Sequence, residues 1–425
     1  MRHKGSRSYE AKAALLMCLF ALSLSIPTAQ GRVSDSDSKE NTTRKRVGQL
    51  GQSLQRLVRD PLTGRLIDPE EAKAIEQKPS GQRPSSEAAI GDDIITIETS
   101  LFAFEVTVTD PGNQQFVTDL TREDFQLFED GEEQEITYFI NSDQEKVPTS
   151  IAFILDHSGS ITPYWDESRR AAINFVRRLK PQFQEVALVL DDPTLVQDFT
   201  RDVWALEKSL NKVKLTKNTY NFTSLFAVMK ELMADRPGRK IIIFQTDGDE
   251  ALRLVPENDW PEDVKVRFRS PKRAYTLQDI FDYASSSGIT VYSVAVGPQL
   301  IRLKSQEEFE ARRPYLESLG HDGAFLTYFR HCQQKLAELA ELTGGSISYM
   351  EKASDAEAIY RRIGEDIRAR YIIGYYPGSE KNDGRFHTLD VKVKGHPDWI
   401  VMGRRGYYAK RPASDVLRPA SAPQK

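Results

Sequence analysis

The sequence has 425 residues, enough for two or three domains with a sizeable core. Its formal net charge is −4, and 39% of its residues are hydrophobic and 9% aromatic, as in an ordinary globular protein with some polar tail. No basic stripe dominates the middle of the chain. This argues against a nucleic-acid-binding protein, whose affinity comes largely from clustered Lys and Arg on phosphate.

The first thirty residues have the order typical of a secretory signal peptide. A basic head is followed by the apolar run Ala13–Ile26, and then by Pro27–Gln30, with small residues near a plausible cleavage point. The apolar run is about 14 residues long, short of the roughly 20 that span a bilayer. We therefore expect residues 1–30 to be a cleaved signal peptide and the protein to be periplasmic or extracellular. An uncleaved membrane anchor is the alternative.

The next segment, residues 31–93, is rich in Ser, Asp, Lys, Arg, Gln and Pro. This composition predicts a flexible polar linker, with one short helix around Pro69–Gln77. A small β module is predicted over residues 94–145. Near its start, four apolar residues alternate with polar ones, as in a half-buried strand: Phe102, Phe104, Val106 and Val108.

The rest of this module reads as strand, turn and strand. The strands are predicted at Phe125–Phe128 and Glu135–Phe139, and Asp130-Gly131 lies in the tight turn between them.

Short apolar runs alternate with helix patterns over residues 146–370. Such runs are typical of parallel strands that are covered on both faces. The alternation predicts right-handed βαβ units and an α/β fold with a doubly wound, mostly parallel sheet. The predicted strands are Ile151–Leu155, Val186–Leu190, Leu195–Phe199, Lys240–Gln245, Thr290–Val296 and Ser346–Met350. The predicted helices are Trp165–Leu179, Val203–Val213, Ser224–Met233, Leu277–Ser286, Gln333–Leu342 and Ala356–Arg370.

Two charged stretches within this region lack a clean period, and we predict that both are surface insertions: Leu252–Arg273 and Pro298–Arg330. Cys332 is the only cysteine left after signal cleavage, so it has no intramolecular disulfide partner, and we expect it to be packed in a helix. Residues 371–410 return to a β pattern and are predicted to be a C-terminal β extension, followed by a disordered tail over 411–425. Its predicted strands are Tyr371–Tyr376, Phe386–Lys394 and Trp399–Tyr408.

Oxygen-bearing side chains occur at three places in the α/β region. One group directly follows the first strand, and Asp247 follows the strand Lys240–Gln245. Thr223 is expected in a loop just before a helix. Sites in open α/β sheets form beyond the carboxyl ends of the strands, where the strand order reverses. We therefore expect five side chains to converge there: Asp156, Ser158, Ser160, Thr223 and Asp247.

This set of side chains favours a divalent cation. Hydroxyls and carboxylates are hard oxygen donors that suit Mg²⁺, Mn²⁺ or Ca²⁺ and poorly suit zinc or copper. Two carboxylates balance the double charge, and three neutral hydroxyls complete much of the shell. Because Mg²⁺ prefers six ligands and keeps several waters, one water position can be exchanged for a carboxylate of a partner protein. We predict Mg²⁺, with Mn²⁺ or Ca²⁺ as alternatives, and no other cofactor.

The pattern Asp156-x-Ser158-x-Ser160, with a loop threonine and a later Thr-Asp-Gly, resembles the metal-ion-dependent adhesion site (MIDAS) of von Willebrand factor A domains. The resemblance implies that Ser158, Ser160 and Thr223 are ligands, directly or through water. It also implies that Asp156 and Asp247 act partly through water. Further stretches are similar to a bacterial "VWFA-related" subfamily abundant in acidobacteria: Leu120–Phe125, Phe128–Gly131, Gln197–Thr200, Ile372–Pro377 and Arg405–Tyr408.

This sequence departs from the family before Thr223, where Asn218–Phe222 replaces the usual Gly-Gly. Thr219 and Ser224 therefore stay open as substitute hydroxyls. Asp249 and Glu250 add negative charge beside the site.

Several simpler interpretations compete with this site. Ser and Asp after a strand are common helix caps, so each residue alone has a structural explanation. An EF-hand loop from Asp156 to Glu167 is disfavoured, because Ile161 stands where the sharp turn needs Gly and a strand precedes the loop. No Gly-x-Ser-x-Gly motif supports a serine hydrolase, and His157 is predicted to be a surface-loop residue rather than a base.

These observations predict a binding module rather than an enzyme. The exported protein is expected to use its cation to engage an acidic residue of a partner protein, with no nucleic-acid partner and no membrane span after signal cleavage. The flanking β regions are expected to pack together or against the α/β domain. One alternative is a metal-assisted hydrolase with Asp249 or Glu250 as the general base. The other is a structural envelope protein in which the metal is only a staple.

Overall fold

In a computed structural model of the protein, the described residues are 48–60, 66–76, 101–216, 219–260, 262–267, 273–297, 306–318, 323–378, 383 and 385–409. The predicted signal peptide and the predicted tail 411–425 lie outside them, as do residues 31–47, 61–65 and 77–93 of the predicted linker. Across the described ranges, no helix combines the length and the apolar character needed to cross a bilayer.

The strands and helices are numbered in chain order. The strands are β1 (Gly48–Gln49), β2 (Val58–Arg59), β3 (Leu66–Ile67), β4 (Phe102–Asp110), β5 (Gln115–Val117), β6 (Phe125–Glu129), β7 (Glu132–Gln134), β8 (Tyr138–Asn141), β9 (Thr149–Leu155), β10 (Gln184–Leu190), β11 (Thr194–Thr200), β12 (Arg239–Thr246), β13 (Ile289–Val296), β14 (Ile347–Met350), β15 (Tyr371–Tyr375), β16 (Phe386–Val393), β17 (Ile400–Gly403) and β18 (Gly406–Tyr408). The helices are α1 (Pro69–Glu76), α2 (Trp165–Arg177), α3 (Val203–Leu210), α4 (Asn221–Ala227), α5 (Glu262–Arg267), α6 (Leu277–Ser286), α7 (Gln306–Ser318), α8 (Gly323–Thr343) and α9 (Ala356–Arg368).

The central sheet has the strand order β1-β11-β10-β9-β12-β13-β14. The five strands from β10 to β14 in this order are parallel, whereas β11 and β1 each pair antiparallel with their neighbour. The chain runs from β9 outward to β10 and β11 on one side, and then returns to β12 on the other. The predicted doubly wound, mostly parallel sheet is confirmed, and its strand order reverses between β9 and β12.

The side chains of β9 divide between two cores, one on each face of the sheet. Ile151, Phe153 and Leu155 pack with residues of α2, α3 and α9. Ala152 and Ile154 pack with residues of α4, α6 and α8. Because both faces are covered, every residue of the strand is buried, which explains the continuous apolar run in the sequence.

The two flanking β regions pack together, which is one of the two predicted arrangements, and they form one β-sandwich. In one sheet, β4 pairs with β15 and β17; in the other, β6 pairs with β16. A third core lies between these sheets and includes Phe104, Leu127, Tyr371 and Tyr407. The predicted turn at Asp130-Gly131 joins β6 to β7, and both residues have positive φ angles. The α/β domain is therefore inserted between the two halves of the sandwich.

Several residues outside the predicted α/β elements belong to its core. Residues 48–60 lie in the predicted linker, yet β1 extends the central sheet and Leu54 is 1% exposed. Trp260 and Tyr328 lie in the two predicted surface insertions, and both are buried. The surface prediction was wrong for both. Trp260 is a single apolar residue among acidic ones and shows no period, whereas Tyr328 lies in an apolar stretch that belongs to α8. The short helix near Pro69 and the buried Cys332 are confirmed.

A buried ion-pair network joins the sandwich to the α/β domain. Glu105 of β4 accepts hydrogen bonds from Arg239 at 2.6 and 3.1 Å, and lies 3.8 Å from Arg370 Nε. Arg370 is fully buried and donates to Asp366 at 2.7 Å and to Gly344 O at 2.6 Å. Burial acts to raise the pKa of Glu105, but the guanidinium groups outweigh it and hold that pKa below its usual value.

We predict that Glu105→Gln lowers the free energy of unfolding by about 3–5 kcal/mol, because it leaves the buried Arg239 without its carboxylate. Urea unfolding at pH 7 measures the loss. The double variant Glu105→Leu/Arg239→Met removes the charge of both partners and is expected to lose less than Glu105→Gln does. Wild-type stability for Glu105→Gln would contradict the role assigned to this network.

Candidate metal centre

Three neighbouring strands of the central sheet end side by side. The parallel registers of β10, β9 and β12 continue to their last residues. Asp191 follows β10, Asp156 follows β9, and Asp247 follows β12. The backbone N–H of Asp191 donates to Leu155 O at 3.1 Å, and that of Asp156 donates to Gln245 O at 3.0 Å. Three carboxylates therefore lie at one edge of the sheet, at the switch point of the strand order.

Four of the five predicted ligands form a ring of hydrogen bonds. Asp156 Oδ1 accepts from the backbone N–H of Ser158 at 2.9 Å, and the hydroxyl oxygens of Ser158 and Ser160 are 2.9 Å apart. Ser160 donates its hydroxyl proton to Asp247 Oδ2 at 2.6 Å. The ring closes where the Asp247 N–H donates to Asp156 Oδ2 at 3.3 Å. The structure thus brings these four residues together.

The fifth predicted ligand, Thr223, makes its hydrogen bonds elsewhere. Its N–H and hydroxyl donate to the two carboxylate oxygens of Glu250, at 2.8 and 2.6 Å. Tyr275 donates to Thr223 Oγ1 at 2.9 Å. The predicted loop position is corrected, because α4 begins at Asn221 and Thr223 lies in its first turn. N–H groups in a first turn lack an intrahelical partner, and Glu250 supplies one.

The carboxylates of the site are crowded. Burial raises the pKa of Asp156 well above its usual value, and the charges of Asp247 and Asp191 add to this effect. Burial and the charge of Asp249 raise the pKa of Asp247 to about 6, against the hydrogen bond from Ser160. Like charges in a buried site disfavour ionisation, and a bound cation reverses that preference.

The donor set fits a divalent cation that prefers oxygen. Ser158, Ser160, Asp156 and Asp247 provide neutral and charged hard donors within one ring. In the described part of the chain, no three His, Cys, Asp or Glu side chains are grouped as metal ligands. A cation here would therefore depend on the hydroxyls as much as on the carboxylates.

One known protein family matches part of the α/β domain. Residues 151–250 match the family described as the von Willebrand factor type A domain. The chain carries a von Willebrand factor type A domain. The match begins in β9 and ends at Glu250, so it includes all five predicted ligands of the A domain. Comparison with curated proteins gave no match.

Solved structures with some similarity include three proteins of different origin. The vWF domain of the type V pili tip protein Mfa5 from Porphyromonas gingivalis is 15% identical, with a TM-score of 0.35; the match covers 52% of this chain and 96% of that one. The conserved hypothetical protein BatB from Bacteroides thetaiotaomicron is 15% identical, with a TM-score of 0.33 and coverages of 52% and 99%. Proximal thread matrix protein 1 from the mussel byssus, solved with zinc in its MIDAS motif, is 13% identical, with a TM-score of 0.32 and coverages of 56% and 49%.

Two further residues, His157 and Asp191, belong to this part of the A domain, and neither was predicted from the sequence. The prediction that His157 lies at the surface was wrong, because the residue is 2% exposed. Its N–H donates to Asp191 Oδ1 at 3.0 Å, and its ring nitrogen Nδ1 is hydrogen-bonded to the same oxygen. The sequence does contain an indication of Asp191, because this residue directly follows the predicted strand Val186–Leu190, just as Asp156 follows its own strand.

We predict that Glu250→Gln lowers the free energy of unfolding of the metal-free protein by about 1.5–3 kcal/mol, because it removes a charged acceptor of two hydrogen bonds. It also breaks the ion pair that Glu250 makes with Arg273 at 3.0 Å. Urea unfolding in EDTA measures the change. The control is Asp249→Asn, whose side chain is 22% exposed. A loss no larger for Glu250→Gln than for this control would refute the prediction.

Proposed function

We propose that the protein is an exported, non-enzymatic binding module, periplasmic or extracellular. In this proposal Asp156, Ser158, Ser160, Thr223 and Asp247 hold a divalent cation, with Mg²⁺ favoured over Mn²⁺ and Ca²⁺. The cation accepts a carboxylate from a partner protein as a further ligand. The ring of hydrogen bonds that links Asp156 to Asp247 through two serines is the observation that supports this proposal.

Thr223 is the proposed ligand that lies outside the ring of hydrogen bonds. Its hydroxyl proton is donated to Glu250 Oε1, and its oxygen accepts from Tyr275. A hydroxyl oxygen has two lone pairs, so one is left to coordinate the cation directly or to accept from a water bound to it. Glu250 also pairs with Arg273 at 3.0 Å, and this guanidinium compensates its buried charge.

A pocket of about 740 Å³ next to Thr223 provides a surface for the partner. Its lining includes Tyr220, Arg273 and Tyr275, and also three glutamines of the segment around β1: Gln49, Gln52 and Gln55. Tyr220 is 40% exposed, and the Arg273 guanidinium lies 5.1 Å from the centre of its ring. Tyrosine and arginine are enriched among the residues that dominate binding energy at protein interfaces. We infer that a residue of the partner, next to the acidic residue that binds the cation, packs against Tyr220.

The hydrolase alternative needs a free general base beside the cation. Both carboxylates considered for that role are already engaged. Glu250 accepts two hydrogen bonds from Thr223, and Asp249 pairs with Arg253 at 2.8 Å. We therefore favour binding over hydrolysis. The alternative of a structural protein stapled by its metal includes the same cation. It differs from our proposal only because no partner protein binds.

The cation is tested by thermal unfolding of the full chain in Mg²⁺, Mn²⁺ or EDTA. We predict that either metal raises Tm, because a ligand that binds only the folded state at 100 times its Kd adds about 2.7 kcal/mol. Asp156→Ala is expected to abolish this effect. The matched control Asp166→Ala, at a carboxylate whose side chain is 80% exposed, is expected to keep it. The proposal fails if titration of the intact protein detects no metal binding.

The partner is tested by pull-down from envelope extract with and without chelator. We predict a captured protein that is lost in EDTA and lost with Asp247→Ala. Tyr220→Ala is expected to weaken capture while leaving the metal-induced rise in Tm intact. The control Trp204→Ala removes an aromatic residue of α3 that is 67% exposed, and it is expected to change neither. Metal binding without any chelator-sensitive capture would favour the staple.

A further inference from the structure

The Asp191 carboxylate has one oxygen that the fold does not satisfy. The residue is completely buried. Its Oδ1 accepts a hydrogen bond from the His157 N–H at 3.0 Å and is also hydrogen-bonded to His157 Nδ1. Its Oδ2 has no hydrogen-bond partner among the residues that the structure describes. A buried carboxylate oxygen without a partner is costly, and such an oxygen is often explained by a water or an ion.

Asp191 also lies beside the proposed cation ligands. Its N–H donates to Leu155 O at 3.1 Å, and Leu155 immediately precedes Asp156. The registers of β10, β9 and β12 run in parallel to the ends of the strands, and Asp191, Asp156 and Asp247 are the residues that follow them. The unsatisfied oxygen therefore belongs to a carboxylate at the same edge of the sheet as both acidic members of the ring.

We propose that Asp191 is an outer carboxylate of the cation site. Its Oδ2 accepts a hydrogen bond from a water bound to the cation, while Oδ1 anchors the loop Asp156–Ser160 through His157. This inference rests on the cation site proposed above. Asp191 is not assigned as a third direct carboxylate ligand, because no three acidic side chains among the described residues are grouped for direct coordination. Outer carboxylates of this kind orient ligands and strengthen metal binding.

A purely structural role predicts a different result from the same substitution. An asparagine at position 191 still offers an oxygen to the His157 N–H, so the anchor is largely kept. It removes one of three carboxylates that follow adjacent strands, where like charges repel when no cation is bound. Asp191→Asn is therefore expected to preserve or raise stability in EDTA and to weaken metal binding. Loss of a structural anchor would lower stability in EDTA.

The experiment measures Mn²⁺ affinity by isothermal titration calorimetry, and urea unfolding in EDTA, on the full chain. Asp191→Asn is expected to weaken Mn²⁺ binding about tenfold or more, with unchanged or higher stability in EDTA. Asp192→Asn is the matched control at the next residue, whose side chain is 29% exposed. His157→Gln removes the imidazole and keeps the carboxylate. Asp192→Asn is expected to bind Mn²⁺ within about threefold of wild type, well inside the effect of losing an outer carboxylate. His157→Gln keeps the backbone N–H of the anchor and is expected to lose less affinity than Asp191→Asn.

Three results would overturn the inference. One is wild-type Mn²⁺ affinity for Asp191→Asn. Another is a loss of EDTA stability or of folding in that variant, which would make Asp191 a structural anchor. The third is an equal loss of affinity in His157→Gln, which would assign the effect to the imidazole. If the wild-type chain itself binds no Mn²⁺, the proposed cation site fails, and that outcome is distinct from all three.

Discussion

The burial of like charges at the ends of three adjacent strands is the constraint on which this site depends. The parallel registers of β10, β9 and β12 bring Asp191, Asp156 and Asp247 to one edge of the sheet. Hydrogen bonds from Ser158 and Ser160 satisfy some of the carboxylate oxygens, but they do not cancel the charge. A divalent cation does both, and a ligand that binds only the folded state also stabilises it.

The two ends of β12 differ in how their charge is compensated. At its start, Arg239 pairs with Glu105 of the sandwich, so charges of opposite sign are buried together. At its end, Asp247 meets further carboxylates. The sandwich also contacts the chain just before β14, where the backbone around Gly344 approaches Arg404 too closely for any larger residue. The sandwich thus covers the amino ends of the strands and leaves their carboxyl ends for a ligand, as in other open α/β sheets.

The sequence predicted those parts of the fold that local burial determines. Ile151–Leu155 is apolar without a break because both faces of its strand are covered, and the Asp-x-Ser-x-Ser pattern follows it directly. Contacts between distant segments were not predictable in the same way. Trp260 is buried although Asp259 and Glu262 lie close to it in the sequence, since its environment is built by other parts of the chain. Nothing near Thr223 in the sequence indicates that its hydroxyl donates a hydrogen bond to Glu250.

The two sides of the site are supported differently, and this bears on how the proposed partner and cation affect each other. The ring from Asp156 to Asp247 is closed by its own hydrogen bonds and is already formed. The Thr223 hydroxyl instead donates its proton to Glu250, and its oxygen is available to the cation. Glu250 also pairs with Arg273, which lines the proposed partner pocket. A partner that draws Arg273 away leaves the charge of Glu250 less compensated, and that negative charge then acts more strongly on the cation through the Thr223 hydroxyl. Because coupling between two binding events is reciprocal, the cation must then change the affinity for the partner by the same factor.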